Sequence, residues 1–161
     1  MTRILAIDPG SERSAWLVLE DDLPELFGIE ANDDLLSMIR EPYPLTAGAD
    51  VVVIEKIESY GMAVGAEVFA TVHWSGRFTE AARPTPVVQL PRRAVKLAIC
   101  GDTRAKDPNI RQALLDRFGG KATAVGTKAA PGPLYGISKD VWSALAIAIT
   151  YSASQPEVLA R

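Results

Sequence analysis

The alternation of apolar and polar residues along the chain predicts an α/β protein. Short apolar runs at residues 4–7, 14–19 and 26–29 predict three strands, and an Asp-Pro-Gly turn signal ends the first of them. Residues 51–54 are continuous and β-branched, which is typical of a central strand covered on both faces. Residues 87–90 predict a fifth strand.

Helices are predicted mainly in the second half of the chain. Asn32 or Asp33 is a candidate cap for the first helix, and Pro91 suits the first position of the third. The glycine- and proline-rich residues 121–136 predict a loop. The five predicted helices cover residues 33–40, 64–82, 91–99, 108–118 and 138–152.

The order of these elements predicts their arrangement. Three strands come first, and single strands then alternate with helices. We therefore expect a mixed five-stranded sheet, with an antiparallel meander extended by parallel strands and helices on both faces. Sheets of this kind bind ligands at the carboxyl ends of their strands. The length favours one domain over residues 1–161.

Charge is distributed unevenly along the chain. The formal net charge is −3, but residues 1–60 hold 4 basic and 13 acidic side chains, whereas residues 61–161 hold 13 basic and 7 acidic ones. This asymmetry indicates either a polyanionic partner or a solvated surface whose opposite charges meet on folding. The basic excess lies in residues 92–128, with Arg92, Arg93, Lys96, Arg104, Lys106, Arg111, Arg117, Lys121 and Lys128.

Composition excludes several classes of protein. A single cysteine rules out a disulfide framework within the chain and a cysteine-rich zinc module. No apolar run approaches the ~18 residues of a membrane span, and the first residues have no signal-peptide pattern. We expect a soluble cytoplasmic protein without a membrane partner.

Acidic residues stand at the ends of three predicted elements. Asp8 closes the first strand, Glu55 closes the fourth, and Asp140 lies in the first turn of the last helix. If the two strands are neighbours, oxygen donors converge there, as Mg²⁺ or Mn²⁺ prefer, and two such ions suit phosphodiester hydrolysis. Alternatively, Asp8 caps its turn, Glu55 pairs with a cation, and Asp140 complements the helix dipole.

The chain also resembles a known family. The segments ILAIDPG, VVVIEK, VKLAICG with RAKD, and KDVWSALAIAITY resemble RuvC-type Holliday-junction resolvases, in order from Arg3 to about Tyr151. The segment IESYGMAVGAEVFATVHWSGRF resembles the phage-encoded branch. The resemblance implies an RNase H-like fold and a homodimer in the host cytoplasm. It also implies nicking of four-way DNA junctions with two divalent ions, Mg²⁺ or Mn²⁺, in each site.

Three of the family's four acidic residues are matched in this chain. The resemblance implies that Asp8, Glu55 and Asp140 are catalytic metal ligands. The bacterial family has a second aspartate three residues after the last of these. Ser143 stands there in this chain and would bind an ion directly or through a water.

The basic and aromatic positions match less closely. Lys96 and Lys106 correspond to family lysines that would contact the scissile phosphate. Additional contacts to the DNA backbone are expected from Arg92, Arg93 and Arg104. The family's aromatic residue near the junction centre is replaced by Glu58, and Tyr60 is either its substitute for base stacking or a plain turn tyrosine.

Three other functions compete with strict junction resolution. A broader nuclease of the same fold would cut flaps and forks as well, and an inactive relative would only bind junctions. The Asp-Pro-Gly turn also resembles the phosphate loop of actin-like ATPases. However, those proteins need two such lobes, and the chain has no GxxxxGK[ST] loop.

Overall fold

A computed structural model describes residues 2–41 and 45–156. Its described residues form one five-stranded sheet with the strand order β3-β2-β1-β4-β5. The strands are β1 (Arg3–Asp8), β2 (Arg13–Glu20), β3 (Leu23–Ala31), β4 (Val51–Lys56) and β5 (Val87–Pro91). All five predicted strands are confirmed.

The sheet is mixed, as the order of elements predicts. β2 pairs antiparallel with both β1 and β3, whereas β4 pairs parallel with both β1 and β5. In the β1–β4 register Ile7 lies opposite Ile54, so the following residues, Asp8 and Glu55, are neighbours. The carboxyl ends of β1, β4 and β5 therefore meet at one edge of the sheet.

Six helices lie within the described residues. They are α1 (Asn32–Arg40), α2 (Ala66–Ala81), α3 (Arg92–Cys100), α4 (Asp107–Arg117), α5 (Lys121–Val125) and α6 (Val141–Ser154). The helix α5 lies in the predicted loop, because five residues are too few to show a helical period. Pro91 ends β5 and precedes the first turn of α3. None of the helices that the structure describes is long and apolar enough to cross a membrane.

Helices cover both faces of the sheet. Nine of the fourteen residues of α6 are buried, so this helix forms the centre of one core together with α3 and α4. On the opposite face, Leu35 and Ile39 of α1 and Phe78 of α2 pack against the sheet. Both faces are thus dry, which explains why β1 and β4 are apolar at every central position.

One local expectation needs correction. Asn32 and Asp33 do not cap α1, whose preceding residue is Ala31, because the Asn32 amide is buried in a separate hydrogen-bond network. In α2, Phe69 is 64% exposed, so the apolar stripe that includes this residue lies outside the core of the described chain. Within the described residues of this helix, the buried side chains are those of Ser75 and Phe78.

Candidate active site

Two carboxyl groups lie in contact at the carboxyl edge of the sheet. Glu55 is only 8% exposed and Asp8 is partly buried beside it. Burial, and then the charge and hydrogen bond of Glu55, raise the pKa of Asp8 well above its usual range. The charge of Asp140 raises it further, while Arg92 opposes the shift. A buried acid pair of this kind is unstable when both groups are ionised without a cation.

A buried network holds the turn that follows Asp8. The Gly10 N–H donates to Ser14 Oγ at 3.1 Å, and that hydroxyl donates to Asn32 Oδ1 at 2.6 Å. The Asn32 amide nitrogen in turn donates a hydrogen bond to the Gly10 carbonyl oxygen at 2.9 Å. A Cβ at position 10 would lie 2.1 Å from the Arg13 carbonyl oxygen, so only glycine fits this turn.

Asp140 and Ser143 approach the same edge from α6. Asp140 directly precedes the helix, is exposed, and makes no side-chain cap hydrogen bond in the described structure. Its charge nevertheless acts on Asp8. Ser143 is partly buried and lines a crevice with Glu55 and Arg92. The structure therefore brings Asp8 and Glu55 into contact, with Ser143 in the adjoining crevice and Asp140 farther out at the rim.

Arg92 lies inside this group of residues. Lys56 of β4 pairs with Pro91 of β5, so the next residue, Arg92, begins α3 at the acidic edge. Its Nη1 atom is 3.9 Å from Glu55 Oε2, and its other terminal nitrogen donates to the Asp107 carboxylate. The sequence predicts a DNA-backbone contact at this position, and the structure places the arginine beside the acids.

The two predicted lysines lie in α3 and directly before α4. Lys96 is partly buried and follows Arg92 by four residues, so both lie on one face of α3. Lys106 is exposed just before α4, where its N–H donates to Asn109 Oδ1 at 2.9 Å. Neither lysine forms an ion pair with any residue that the structure describes.

The other predicted DNA contacts lie on the surface. Arg93 is exposed, and Arg104 is also exposed, with its Nε atom 3.4 Å from Asp102 Oδ1. Tyr60 is 62% exposed in the segment after β4, and its hydroxyl donates to Glu58 at 3.1 Å. Hydrogen bonds from Lys56 and then Tyr60 lower the pKa of Glu58, which keeps this carboxylate charged.

A groove of about 280 Å³ opens beside Asp140. Arg111 lies over the Trp142 ring, 5.1 Å from its centroid, at the side of this groove. Arg111 belongs to the basic stretch of the sequence, and Lys139, which was not predicted as a site residue, also lines the groove. The signal for Lys139 is its position directly before a candidate ligand, Asp140.

The donor atoms suit a hard divalent cation. Asp8 and Glu55 offer carboxylate oxygens in contact, and a cation between them would remove their repulsion. The exposed Asp140 is a further oxygen donor at the rim. Within the described residues, no three Asp, Glu, His or Cys side chains lie close enough together to hold an ion. The fit therefore rests on the Asp8–Glu55 pair.

Comparisons with known proteins identify the fold. No family model matches this sequence, and no curated protein is detectably similar to it. Among solved structures, that of Thermus thermophilus RuvC is 17% identical over 94% of this chain and 93% of its own, with a TM-score of 0.62. The chain has a RuvC-type fold. This result confirms the predicted RNase H-like architecture.

Two structures of DNA complexes share the RuvC-type fold. Thermus thermophilus RuvC in complex with a Holliday junction substrate matches with 17% identity over 94% of this chain and 93% of the other, at a TM-score of 0.60. A Fowlpox virus resolvase in complex with substrate Holliday junction DNA is 15% identical, over 94% of this chain and 99% of the other, at a TM-score of 0.50.

Proposed function

We propose that this protein is a divalent-metal-dependent endonuclease that resolves four-way DNA junctions by paired nicks. The observation that carries the proposal is the contact between the Asp8 and Glu55 carboxyls at the edge of a RuvC-type sheet. Two solved proteins of this fold are in complex with Holliday junction DNA. The basic residues of α3 and α4 flank the same edge, which supports a polyanionic substrate.

Asp8, Glu55 and Asp140 would hold Mg²⁺ or Mn²⁺ in this proposal. The Asp8–Glu55 pair supports this role, because buried carboxylates in contact require a counter-charge. Ser143 lines the same crevice as Glu55 and would contribute a hydroxyl or a bound water. When bound, a divalent cation activates water and stabilises the departing oxygen of a phosphodiester.

Hydrolysis forms one bond and breaks one bond at phosphorus. A water oxygen attacks in line, one P–O ester bond breaks, and the proton of the water ends on the departing oxygen or in solvent. The carboxylates would orient the water and pass its proton on to the departing oxygen or to solvent. Lys96 and Lys106, as point charges beside the acidic edge, would draw the scissile phosphate into place. Cleavage therefore needs both the acidic pair and the flanking lysines.

The DNA would be held by the surface around this edge. Arg93 and Arg104 are exposed and would contact the backbone, and Arg92 would act from within the site. Tyr60 presents an exposed ring five residues after Glu55, in reach of an unpaired base at the junction centre. Four-way DNA is therefore the substrate class that best uses both the phosphate contacts and the exposed ring.

We propose that the active form is a homodimer. Two symmetric nicks in a two-fold junction require two sites related by a two-fold axis. The segment from Met62 to Val72 supports this arrangement, because Met62 is 77% exposed, Phe69 64% and Val72 49%. Apolar side chains exposed to this extent on one segment favour burial against a second copy of the chain.

The test is cleavage of labelled four-way, forked and linear duplexes with Mg²⁺ or Mn²⁺. We expect paired symmetric nicks in the four-way substrate, and loss of cutting in Asp8→Asn while junction binding stays within about threefold of wild type. Equal cutting of forks and flaps would favour the broader branched-DNA nuclease. Cleavage by Asp8→Asn would exclude the proposed site, and binding without any cleavage by wild type would favour the inactive module.

A further inference from the structure

We infer that Arg92 takes the place of a second metal ion, so that each protomer holds a single divalent cation. The inference rests on the proposed function and specifies how that site is charged. It starts from two features of the acidic edge, namely the neutral Ser143 where the family has a fourth carboxylate and the arginine beside Glu55.

The position of the guanidinium is the first argument. Arg92 Nη1 lies 3.9 Å from Glu55 Oε2, on the side of Glu55 where the crevice reaches Ser143. This crevice has a volume of about 10 Å³, which is room for about one water molecule and too small for a hydrated cation. The guanidinium therefore places a positive charge on this side of Glu55, where it repels a second ion.

The anchoring of Arg92 is the second argument. Asp107, in the first turn of α4, accepts a hydrogen bond from the other terminal nitrogen, so the guanidinium is fixed between two carboxylates. Arginine stays charged at any accessible pH, because its pKa lies above 12. The positive charge next to Glu55 is thus permanent and does not depend on metal in solution.

The charge balance is the third argument. The family pattern of four carboxylates matches two divalent cations. Here only Asp8 and Glu55 are in contact, and Arg92 already supplies one positive charge beside them, whereas Asp140 is exposed at the rim. A single divalent cation therefore more than neutralises the buried pair and leaves no negative charge there to bind a second. Asp107 is 73% exposed and lies on the far side of the guanidinium, where solvent screens its charge.

The neutral side chain of Ser143 is the fourth argument. A neutral hydroxyl is a weaker ligand for Mg²⁺ or Mn²⁺ than a carboxylate, so it does not compensate for the repulsion between a second ion and the guanidinium. An acid at position 143 would pair with Arg92 in the same crevice. The arginine and the neutral serine therefore both disfavour a second ion at one place in the site.

Calorimetric titration with Mn²⁺ in the absence of DNA tests the inference by counting ions. We expect one Mn²⁺ per protomer for wild type and for Ser143→Asp, in which the new carboxylate pairs with Arg92. The double variant Arg92→Ala/Ser143→Asp should bind two. Arg92→Ala alone should bind one ion about tenfold more tightly, because the repelling charge is gone.

Two control variants separate charge from other effects. Arg92→Lys keeps the positive charge, so it should bind one ion with an affinity within about threefold of wild type. Arg93→Ala removes the neighbouring exposed arginine and should leave the titration unchanged. Thermal melting of every variant without metal checks that each is folded before its ions are counted.

The possible failures are distinguishable. Two Mn²⁺ per wild-type protomer, or a double variant that still binds one, would overturn the role of Arg92 while leaving the nuclease proposal intact. An Arg92→Ala variant that binds Mn²⁺ like wild type would overturn it as well. No Mn²⁺ binding by folded wild type would contradict both this inference and the proposed metal site.

Discussion

At the scale of single residues, the contact between Asp8 and Glu55 destabilises the metal-free fold when both groups are ionised. Both groups end buried parallel strands, and the repulsion between their ionised forms is only partly offset by Arg92. A fold that keeps two acids in this position without a bound cation loses stability as they ionise. Such a cost is typical of a site organised for a ligand rather than for stability.

Replacing Asp8 should therefore stabilise the metal-free protein at neutral pH. The folded-state pKa of Asp8 is raised above the unfolded value of about 3.8, so the stability is fully present below that pH and is lost as pH rises through the folded pKa. Asp8→Asn cannot ionise. Thermal melts in a chelator should give a higher Tm for Asp8→Asn at pH 8, by about 2–4 °C per kcal/mol, and no difference near pH 3.

The exposed strand residue Glu25 provides a control for this measurement. Glu25→Gln removes one negative charge without touching the site, and its melting curve should follow wild type at every pH. An Asp8→Asn variant that melts below wild type at pH 8 would contradict the view that the acidic pair destabilises the metal-free fold.

Residue-level prediction from sequence succeeded where the backbone dictates the outcome. Asp8 and Glu55 each follow an apolar run, and parallel pairing of those runs is enough to bring them together. Arg92 was harder, because its approach to Glu55 depends on the angle at which α3 leaves β5. Asn32 was assigned a local role as a helix cap, whereas its partners lie 18 and 22 residues away.

At the scale of elements, the Asn32 amide joins the β1–β2 turn to the start of α1. It accepts from the Ser14 hydroxyl and donates to the Gly10 carbonyl, so one side chain fixes the turn that carries Asp8. Ser14 and Asn32 are only 1% and 2% exposed. Water is therefore a poor substitute when the amide is removed.

Removing this amide should reduce both stability and cleavage. We expect Asn32→Ala to lower the free energy of unfolding by about 1–3 kcal/mol, since it leaves buried polar groups without a partner. Urea denaturation measures this loss. The neighbouring exposed Asp33→Ala is the matched control and should cost less than about 1 kcal/mol. Equal losses in the two variants would mean that the network does not hold the turn.

The helix α2 shows where periodicity is ambiguous. Apolar positions at helical spacing indicate a packed face, but periodicity alone does not reveal what covers that face. In the structure the stripe that includes Phe69 and Val72 is exposed, and the packed stripe includes Ser75 and Phe78. The helix α5 was missed for a different reason, because one short turn of helix within a Gly/Pro-rich segment has no period.

A charge on the exposed stripe of α2 should separate the subunits of the proposed dimer. Phe69→Glu would place a carboxylate in the apolar contact, and we expect dimerisation to weaken by at least about thirtyfold. Sedimentation equilibrium measures this change. Leu97→Glu alters another exposed apolar residue, on α3, and should leave the association unchanged. A Phe69→Glu protein that still dimerises like wild type would exclude this face.

At the scale of the whole molecule, the acidic and basic parts of the sequence correspond to neighbouring regions of the folded structure. The acidic edge of the sheet lies at the carboxyl ends of β1, β4 and β5, and the basic helices α3 and α4 start next to it. The net charge of −3 is therefore the sum of an acidic site and of the basic helices that surround it. Composition alone left both a DNA partner and a neutralised surface open, because it contains no information on which charges are neighbours.

Salt dependence should reveal the contribution of this basic surface. Junction affinity should fall steeply between 50 and 200 mM salt, and Lys106→Ala should reduce the log–log slope by about one, as expected for one lost phosphate contact. Arg83→Ala is the control, because Arg83 pairs with Glu80 and lies before β5, at the opposite edge of the sheet. Fluorescence anisotropy with a labelled junction measures both slopes. Equal slopes for Lys106→Ala and wild type would remove this lysine from the interface.

The most direct test of the central claim is cleavage of a supercoiled plasmid that extrudes a single cruciform. If the protein resolves junctions with two coordinated sites, Mg²⁺ should produce linear plasmid from the cruciform substrate without prior accumulation of nicked circles. The same plasmid without the inverted repeat should stay supercoiled, as should the cruciform plasmid with Asp8→Asn. Nicked circles alone, or equal cutting of both plasmids, would contradict the account.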